Sequence, residues 1–246
     1  MRIGLIGTGR MGKAVYDVVN ETEHIIAVHF NIDKPVNEKE AEQCDVLIDF
    51  SSAEAIDHNV NIALACKKPL VTGTTGWYDR LDEIKARVEK ENGSFLYAAN
   101  FAIGVLLFQQ IAKIAAKLYG TFNNYDFAVH ETHHNQKADS PSGTANRIAV
   151  SLLEVLPNKN KLQEGNPPGK ISEDALHVTS TRVGAVPGTH RVFIESAEDS
   201  VELSHCAHGR NGFAIGSVRV AEWLIGRQGF FTIEDYLKDT GLKIAG

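Results

Sequence analysis

The residue types best suited to chemistry lie together in one segment, ETHHNQKADSPSGTA, at positions 131–145. His133 and His134 directly follow a predicted strand that ends at Thr132, and if the strand geometry continues their side chains point to opposite faces. Lys137 adds a cation three residues after His134. Because an imidazole or an ammonium group can donate a proton to a reacting molecule, the segment indicates acid–base chemistry. One histidine would take part in the reaction, and the other would orient the substrate or the structure.

The second half of the segment predicts a helix start that can bind an anion. Ser140 or Asp139 suits the N-cap, and Pro141 suits the first helical position, where its missing N–H costs nothing. The next backbone N–H groups would lack helical partners and could hold a carboxylate or a phosphate, together with a threonine hydroxyl. These groups belong to Ser142, Gly143 and Thr144. An ordinary capped helix and surface histidines could explain each feature alone, but the combination favours a functional site.

A metal site is the rival interpretation of the paired histidines. Adjacent histidines rarely converge on one ion, and neither HExxH nor another ligand spacing accompanies them. We therefore predict acid–base chemistry without a metal.

A second motif, GxGxxG, directly follows a predicted strand and opens a predicted helix. Gly7 permits a tight turn, Gly9 lets the backbone approach a pyrophosphate, and Gly12 lets the helix sit close to the strand. The pyrophosphate would meet the positive end of the helix. A glycine-rich turn is the alternative, but the position in a βαβ pattern favours dinucleotide binding. The predicted cofactor-binding residues of this loop are Gly7, Thr8, Gly9, Arg10, Met11 and Gly12.

The end of the second predicted strand leaves the choice between NADH and NADPH open. An acid at this point would bind the adenosine ribose, but the chain has His29-Phe30-Asn31 instead. Asp33 could bind the ribose diol, or Lys34 could pair with a 2′-phosphate. An exposed turn is an equally good interpretation of these two residues.

Two further turns should lie at the carboxyl ends of parallel strands, where ligands of such sheets bind. Each turn alone could be purely structural, but together they predict a nicotinamide pocket. Its residues would be Gly73, Thr74 and Thr75 in the first turn, and Ala98, Ala99, Asn100 and Phe101 in the second.

The elements that would position these residues fall into two groups. Short apolar strands alternate with helices over residues 1–100, which indicates a parallel sheet. Later, polar and apolar residues alternate in LHVTSTRVG, HRVFIES and VELSHCAH, and a polar stretch at 158–170 predicts a loop. We therefore predict an α/β protein. A Rossmann-type doubly wound parallel sheet in 1–100 would be completed by 212–246, and 101–211 would form an α+β domain with a mostly antiparallel sheet.

Composition narrows the classes of partner. A formal net charge of −6 leaves no broad basic field, so a nucleic acid partner is not expected. No stretch approaches the roughly 18 apolar residues that a membrane crossing needs, and the first residues lack the features of a signal peptide. The three cysteines include no CxxC spacing, which favours a reducing compartment. We expect a cytoplasmic protein.

The segments GLIGTGRMG, TGTTG, AANFAIGV and above all ETHHNQKADSPSGTA resemble those of the dihydrodipicolinate reductase family, in the family's order along the chain. The resemblance implies hydride transfer from NADH or NADPH to a small cyclic imine dicarboxylate, giving tetrahydrodipicolinate for diaminopimelate and lysine synthesis. It also implies a homotetramer assembled through the sheets of the 101–211 domain, which would bind the substrate. By this resemblance His133 is the acid–base residue, Lys137 is a proton donor, and the substrate is bound by His134, Gly143 and Thr144.

Three features depart from the family pattern. Phe30-Asn31 stands where many members carry an acid, and Gln136 stands where a third histidine is common. Little more than a loop joins the second and third strands, which predicts that a helix of the nucleotide domain is missing. Two other functions stay open: a dehydrogenase acting on another imino or amino acid, and a non-catalytic nucleotide sensor that retains the Rossmann domain.

Overall fold

The computed structural model describes residues 1–240, which form two compact units. The first unit consists of residues 1–103 and 210–240, and the second consists of residues 104–209. Residues 241–246 of the predicted C-terminal segment lie outside the described part of the chain. Within residues 1–240, no helix has both the length and the apolar character that a bilayer crossing requires.

The strands are, in chain order, β1 (Arg2–Ile6), β2 (Ile25–Phe30), β3 (Val46–Asp49), β4 (Leu70–Thr72), β5 (Ser94–Tyr97), β6 (Asp126–His133), β7 (Lys161–Glu164), β8 (Ala175–Arg182), β9 (Thr189–Glu195), β10 (Ser200–Cys206) and β11 (Gly229–Thr232). The α-helices are α1 (Arg10–Val19), α2 (Glu38–Ala41), α3 (Ile56–Ala65), α4 (Leu81–Lys90), α5 (Ile103–Tyr119), α6 (Gly143–Leu153), α7 (Asn211–Leu224) and α8 (Ile233–Asp239). Single turns of 3-10 helix, Ala53–Ala55 and Tyr78–Arg80, precede α3 and α4.

The first unit is built on a six-stranded parallel sheet of order β11-β5-β4-β3-β1-β2. Strand β3 (VLID) is buried along its whole length, which is typical of a parallel sheet covered on both faces. The strand order reverses at β1, which pairs with β2 on one side and with β3 on the other. Ligands of doubly wound sheets bind at such a switch point. The predicted Rossmann-type sheet is confirmed.

Two elements of this unit were not expected from the sequence. Strand β11 pairs with β5, and its Phe230 ring stacks on Phe95 with centroids 5.1 Å apart. Four residues (GFFT) are too few to show a strand period, so the sequence predicts only helices in that region. Between β2 and β3, the predicted loop contains the one-turn helix α2, whose N-cap Asn37 accepts a hydrogen bond from the Glu40 N–H at 3.1 Å.

The second unit contains a five-stranded mixed sheet of order β10-β9-β6-β8-β7. Strand β9 pairs antiparallel with both β6 and β10, whereas β8 pairs parallel with both β6 and β7. The predicted loop at 158–170 is wrong in one part, because it contains strand β7. The sequence of β7, KLQE, lacks an apolar alternation, and the strand is recognisable only from its pairing with β8.

Candidate active site

The alternation of strand β6 brings two titratable side chains to its buried face. Phe127, Val129, Glu131 and His133 are buried, whereas the residues between them are half-buried. The buried face therefore changes from apolar to polar at the carboxyl end of the strand. His134 follows directly after the strand and is only partly buried.

Glu131 is fully buried and lies at the centre of a hydrogen-bond network. Its Oε1 accepts bonds from the N–H of Ser142 (2.8 Å), the hydroxyl of Ser180 (3.0 Å) and the guanidinium of Arg182 (2.8 Å). Its Oε2 lies 3.1 Å from Nδ1 of His133, without the angle of a well-formed hydrogen bond. Burial alone would raise the pKa of this carboxyl, but the adjacent His133 imidazole and the bonds from Ser142 and Arg182 outweigh it and hold the pKa well below its usual range. Glu131 is therefore ionised at neutral pH.

His190, on the neighbouring strand β9, completes this cluster. Its ring centroid lies 5.2 Å from that of His133, and its Nε2 lies 3.7 Å from Oε2 of Glu131. Burial, reinforced by the charge of His133, lowers the pKa of His190 to about 4, so this imidazole is neutral at pH 7. His190 and Arg182 were not predicted, because their proximity to His133 depends on strand pairing. Glu131 was also missed, although its place two residues before His133 on one strand puts both side chains on the same face.

The same cluster could be read as a metal site. Ligand atoms of Glu131, His133 and His190 lie within 4.8 Å of one another, a spacing that a metal ion could use. However, Arg182 already balances the Glu131 carboxylate at 2.8 Å, so a dication would add charge to a buried site that holds a cation. The donor set therefore fits acid–base chemistry better than metal binding.

The N-cap of helix α6 differs from its prediction. Ser142, rather than Ser140 or Asp139, is the N-cap, because its side chain accepts a bond from the Ala145 N–H at 3.1 Å. Pro141 therefore lies before the cap. The expectation that the Ser142 N–H is free is also wrong, since it donates to Glu131. This partner lies on β6, outside the local segment, and local capping rules cannot reveal it.

The predicted anion-binding groups that remain at this helix start are those of Gly143 and Thr144. The Gly143 N–H has only a long contact, 3.4 Å, with Oδ2 of Asp139. The Thr144 hydroxyl accepts a bond from Arg147 at 3.3 Å. Because both residues occupy the first turn of an 11-residue helix, they can present N–H groups and the positive end of the helix dipole to a carboxylate.

Lys137 lies in the loop that connects β6 to α6. Its Nζ is 2.7 Å from Oδ1 of Asp139, and this bond holds the pKa of the Asp139 carboxyl below its usual range. Its backbone N–H donates to the His134 carbonyl at 3.1 Å, which closes a tight turn. The end of β6 and the short loop after it thus carry both predicted histidines and the ammonium group in one unit.

In the first unit, the three glycines of the GxGxxG loop behave differently from one another. Gly7 has a φ of +99°, and an added Cβ would lie 2.4 Å from the Phe50 carbonyl oxygen. A Cβ at Gly12 would lie 2.0 Å from the Gly7 carbonyl oxygen. A Cβ at Gly9 would meet no atom within 4 Å. Two glycines thus allow close packing, whereas Gly9 keeps space open at the start of α1.

Two cavities border this loop. One of about 470 Å³ is lined by residues that include Thr8, Gly9, Asn31, Asp33, Phe50 and His58. The other, of about 330 Å³, is lined by Gly9, Arg10, Met11, Gly73, Thr74 and Thr75, together with 50–52. The predicted cofactor residues 7–11, 33 and 73–75 thus lie around two adjoining cavities, whereas Gly12 lines neither of them. Residues 50–52 were not among the predicted cofactor residues, although they follow β3 next to the switch point, where ligands of such sheets bind.

Asp49 holds the loops that line both cavities through hydrogen bonds. It is fully buried at the end of β3, and accepts bonds from the Ser51 N–H (3.0 Å) and the Thr72 hydroxyl (2.7 Å). The Thr72 hydroxyl in turn accepts a bond from the Thr74 N–H at 3.1 Å. Burial raises the pKa of the Asp49 carboxyl. Asp49 therefore fixes two loops that line the cavities, and it was not among the predicted residues.

The second predicted nicotinamide turn, at 98–101, joins the same region. The Ala98 N–H donates to the Thr72 carbonyl at 3.1 Å, and Oδ1 of Asn100 accepts from the Ala102 N–H at 2.7 Å. The Phe101 ring lies 6.0 Å from that of Phe50. Among residues 1–240, the buried Thr74 hydroxyl has no partner with hydrogen-bond geometry.

Beyond strand β2, the turn at one end of the larger cavity carries opposite charges. The Asn31 side chain accepts bonds from the N–H groups of Asp33 and Lys34, both at 2.9 Å. Asp33 lines the cavity. The Lys34 ammonium lies 2.6 Å from Oε1 of Glu40, on helix α2. The cation nearest this turn is thus already paired.

Comparison with protein families gives two adjoining matches. A family described as dihydrodipicolinate reductase, N-terminus, matches residues 1–101, and one described as dihydrodipicolinate reductase, C-terminus, matches residues 104–237. Relatives named 4-hydroxy-tetrahydrodipicolinate reductase occur in Christiangramia forsetii and Rickettsia bellii. The first is 36% identical over 97% of this chain and 98% of the relative. The second is 33% identical over 97% of this chain and 95% of the relative.

Solved structures share the fold. A dipicolinate-bound dihydrodipicolinate reductase from Paenisporosarcina sp. TG-14 superposes with a TM-score of 0.77 at 22% identity, covering 94% of this chain and 97% of that chain. A probable dehydrogenase from Thermotoga maritima has a TM-score of 0.56 at 11% identity, covering 96% of this chain and 92% of that one. At these identities the likeness concerns architecture alone.

Proposed function

Because the chain belongs to the dihydrodipicolinate reductase family, we propose that it reduces the cyclic imine dicarboxylate of that family with a nicotinamide cofactor. The product would be tetrahydrodipicolinate, on the route to diaminopimelate and lysine. The observation that carries the proposal is the loop from β6 to α6, where His133, Lys137 and a helix N-terminus lie within a dozen residues. Dipicolinate, bound in the similar solved structure, is a cyclic dicarboxylate of the same shape class.

Each group of the β6–α6 loop has a role in this reaction. The bound nicotinamide supplies the hydride, and the reduced ring then needs a proton. His133 acts as the acid–base residue, and Lys137 donates a proton and neutralises charge. His134, with the N–H groups of Gly143 and Thr144, binds the substrate carboxylates. The N–H of Ser142 is bonded to Glu131 and does not bind the substrate. Ser142 instead caps α6 and so positions the next N–H groups.

The first unit would hold the cofactor. Gly9, with open space beside it, and the start of α1 suit the pyrophosphate. The unpartnered Thr74 hydroxyl and the loops at 73–75 and 98–101 suit the nicotinamide and its ribose. These residues bind and orient the cofactor, and hydride transfer requires its ring and the substrate to be aligned.

We further propose that NADH is preferred over NADPH. Asp33 lines the adenosine end of the cavity, where a carboxylate accepts hydrogen bonds from a ribose diol and repels a 2′-phosphate. Lys34, the residue that could pair with such a phosphate, is bonded to Glu40 at 2.6 Å. Because both side chains of this pair are partly exposed, the preference should be moderate.

The activity is tested by following absorbance loss of NADH and of NADPH with the freshly prepared condensation product of aspartate semialdehyde and pyruvate. The wild-type protein should oxidise a cofactor only when this substrate is present. His133→Ala and Lys137→Ala should each lower kcat at least about 10²-fold, the usual contribution of a general acid or base. His177→Ala, on β8 opposite Ala128, and Lys161→Ala, on the edge strand β7, are controls of the same residue types and should stay near wild type. Wild-type protein that binds cofactor without turnover would refute the proposal.

The cofactor preference has its own variant. Glu40→Gln releases Lys34 from its ion pair and should raise kcat/KM with NADPH by about 3- to 5-fold, the worth of one exposed ion pair. NADH kinetics should hardly change, because the diol contact of Asp33 is retained. Lys85, paired with Glu89 on α4, offers a control in Glu89→Gln. Higher activity with NADPH than with NADH in the wild type would contradict the preference.

We also propose that the protein is a cytoplasmic homotetramer assembled through the sheets of the second units. Support comes from the face of β6 opposite Glu131, where Ala128, His130 and Thr132 are half-buried, and from the half-buried Phe193 beside Ala128. Light scattering coupled to size-exclusion chromatography measures the mass directly. A monomer at micromolar concentration would overturn this assembly.

A further inference from the structure

We infer that Glu131 is a positioning residue that ties the acid–base group His133 to the substrate-binding start of helix α6. The inference rests on the proposed function, in which His133 exchanges a proton and α6 binds a carboxylate. The two oxygens of one carboxylate serve the two halves of this site. Oε2 faces the imidazole, and Oε1 holds the first N–H group before the helix.

The first support is the environment of the carboxylate. The Glu131 side chain is completely buried, and three donors converge on Oε1, from Ser142, Ser180 and Arg182. A buried carboxylate is stable only where hydrogen bonds and an opposite charge replace its hydration. One donor is the N-cap of α6 and the other two lie on β8, so the carboxylate cannot rotate without breaking contacts to both elements. It therefore provides a fixed anion beside His133.

The second support is the orientation of the His133 ring. Nδ1 lies 3.1 Å from Oε2 of Glu131, on the buried side. Nε2 faces Gly188, and a Cβ added to this glycine would lie 2.8 Å from Nε2. A fixed anion beside Nδ1 keeps a proton on that nitrogen, so that proton exchange takes place at Nε2. The nearby His190 is neutral at pH 7, so it does not compete with His133 for the negative charge of Glu131.

The third support is the link to the helix. The Ser142 N–H donates to Oε1 at 2.8 Å, and the Ser142 hydroxyl caps α6 by accepting from Ala145. The position of Ser142 fixes the next two N–H groups, those of Gly143 and Thr144. Loss of the carboxylate should thus displace the carboxylate-binding groups as well as the imidazole. A role confined to the ion pair with Arg182 would affect stability alone.

The test compares Glu131→Gln, which keeps the shape of the side chain, with Asp126→Asn on the same strand as a matched control. In Glu131→Gln, kcat should fall about 10- to 100-fold, the usual effect of losing a group that orients a functional imidazole. The inhibition constant of pyridine-2,6-dicarboxylate should rise several-fold, whereas KM for the nicotinamide cofactor should stay unchanged. Asp126→Asn should leave all three quantities near wild type. A stably folded Glu131→Gln protein with wild-type kcat and inhibition constant would overturn the inference.

A measurement on the wild-type protein covers the case in which Glu131→Gln does not fold. Nitrogen-15 NMR of histidine-labelled protein, assigned with His133→Asn, reports which ring nitrogen carries the proton. A proton on Nδ1 of His133 is expected, and a neutral ring protonated only at Nε2 would overturn the inference. Failure of the proposed function gives a different pattern, since the wild-type protein would then lack turnover while the ring proton still reports on Glu131.

Discussion

Replacing Gly188 by alanine should disable the acid–base residue while leaving the fold in place. The new methyl would lie 2.8 Å from Nε2 and 3.2 Å from Cδ2 of His133, both well inside normal contact. The ring cannot simply retreat, because Glu131 stands 3.1 Å from its other nitrogen. Overpacking of this kind costs about 1–3 kcal/mol. A shift of about 1 Å in a reacting group lowers its rate about 10²-fold.

We therefore expect kcat of Gly188→Ala to fall about 10²-fold, with KM for the cofactor unchanged, in a steady-state assay of NADH oxidation. Gly209→Ala is the matched control, since Gly209 has the same φ of +156° but no atom within 4 Å of an added Cβ. Both variants share the backbone strain, so thermal unfolding should show similar losses from that source. If Gly188→Ala kept more than half of the wild-type kcat, the assignment of Nε2 as the reacting atom would be wrong.

Three further results are expected. Gly9→Ala should lower cofactor affinity without lowering the melting temperature. Gly12→Ala should lower both, because its Cβ would lie 2.0 Å from a carbonyl oxygen. Calorimetric titration measures the affinity, and thermal unfolding measures the melting temperature. The pKa of His190 is lowered to about 4, so the unfolded chain takes up this proton first and stability should fall as the pH drops from about 6.5 to 4. The free energy of unfolding, measured with denaturant at several pH values, should depend less on pH in His190→Gln than in the wild type. An unchanged pH dependence would contradict the burial argument. Saturating NADH, at about 100 times its Kd, should stabilise the protein by about 2.7 kcal/mol, and no shift in melting temperature would exclude binding to the folded state.

The parts of the molecule that could be predicted from sequence are those set by local pattern. The parallel sheet follows from apolar runs such as VLID, and the glycine loop follows from steric demands at Gly7 and Gly12 that the structure shows directly. The loop from β6 to α6 was found because its histidines, lysine and helix start lie within a few residues of one another.

The residues that escaped prediction act over long separations in sequence. Glu131 bonds to Ser180 and Arg182, which are 49 and 51 residues away, and only the pairing of β6 with β8 brings them together. The same carboxylate accepts the N–H of Ser142, which is the N-cap of α6 in place of the predicted Ser140 or Asp139. Strand β7 was missed because its sequence has no periodic signal and it forms only against β8.

During synthesis, the ribosome delivers β5 long before β11, the strand that covers its edge. Until then the β5 edge presents unpaired N–H and C=O groups beside Phe95 and Leu96, a ready template for pairing with another chain. The 104–209 unit emerges in this interval and, having a sheet of its own, can begin to fold first. A nascent chain stalled before residue 229 should therefore be prone to aggregation, and a chaperone that shields the growing polypeptide would act at that edge.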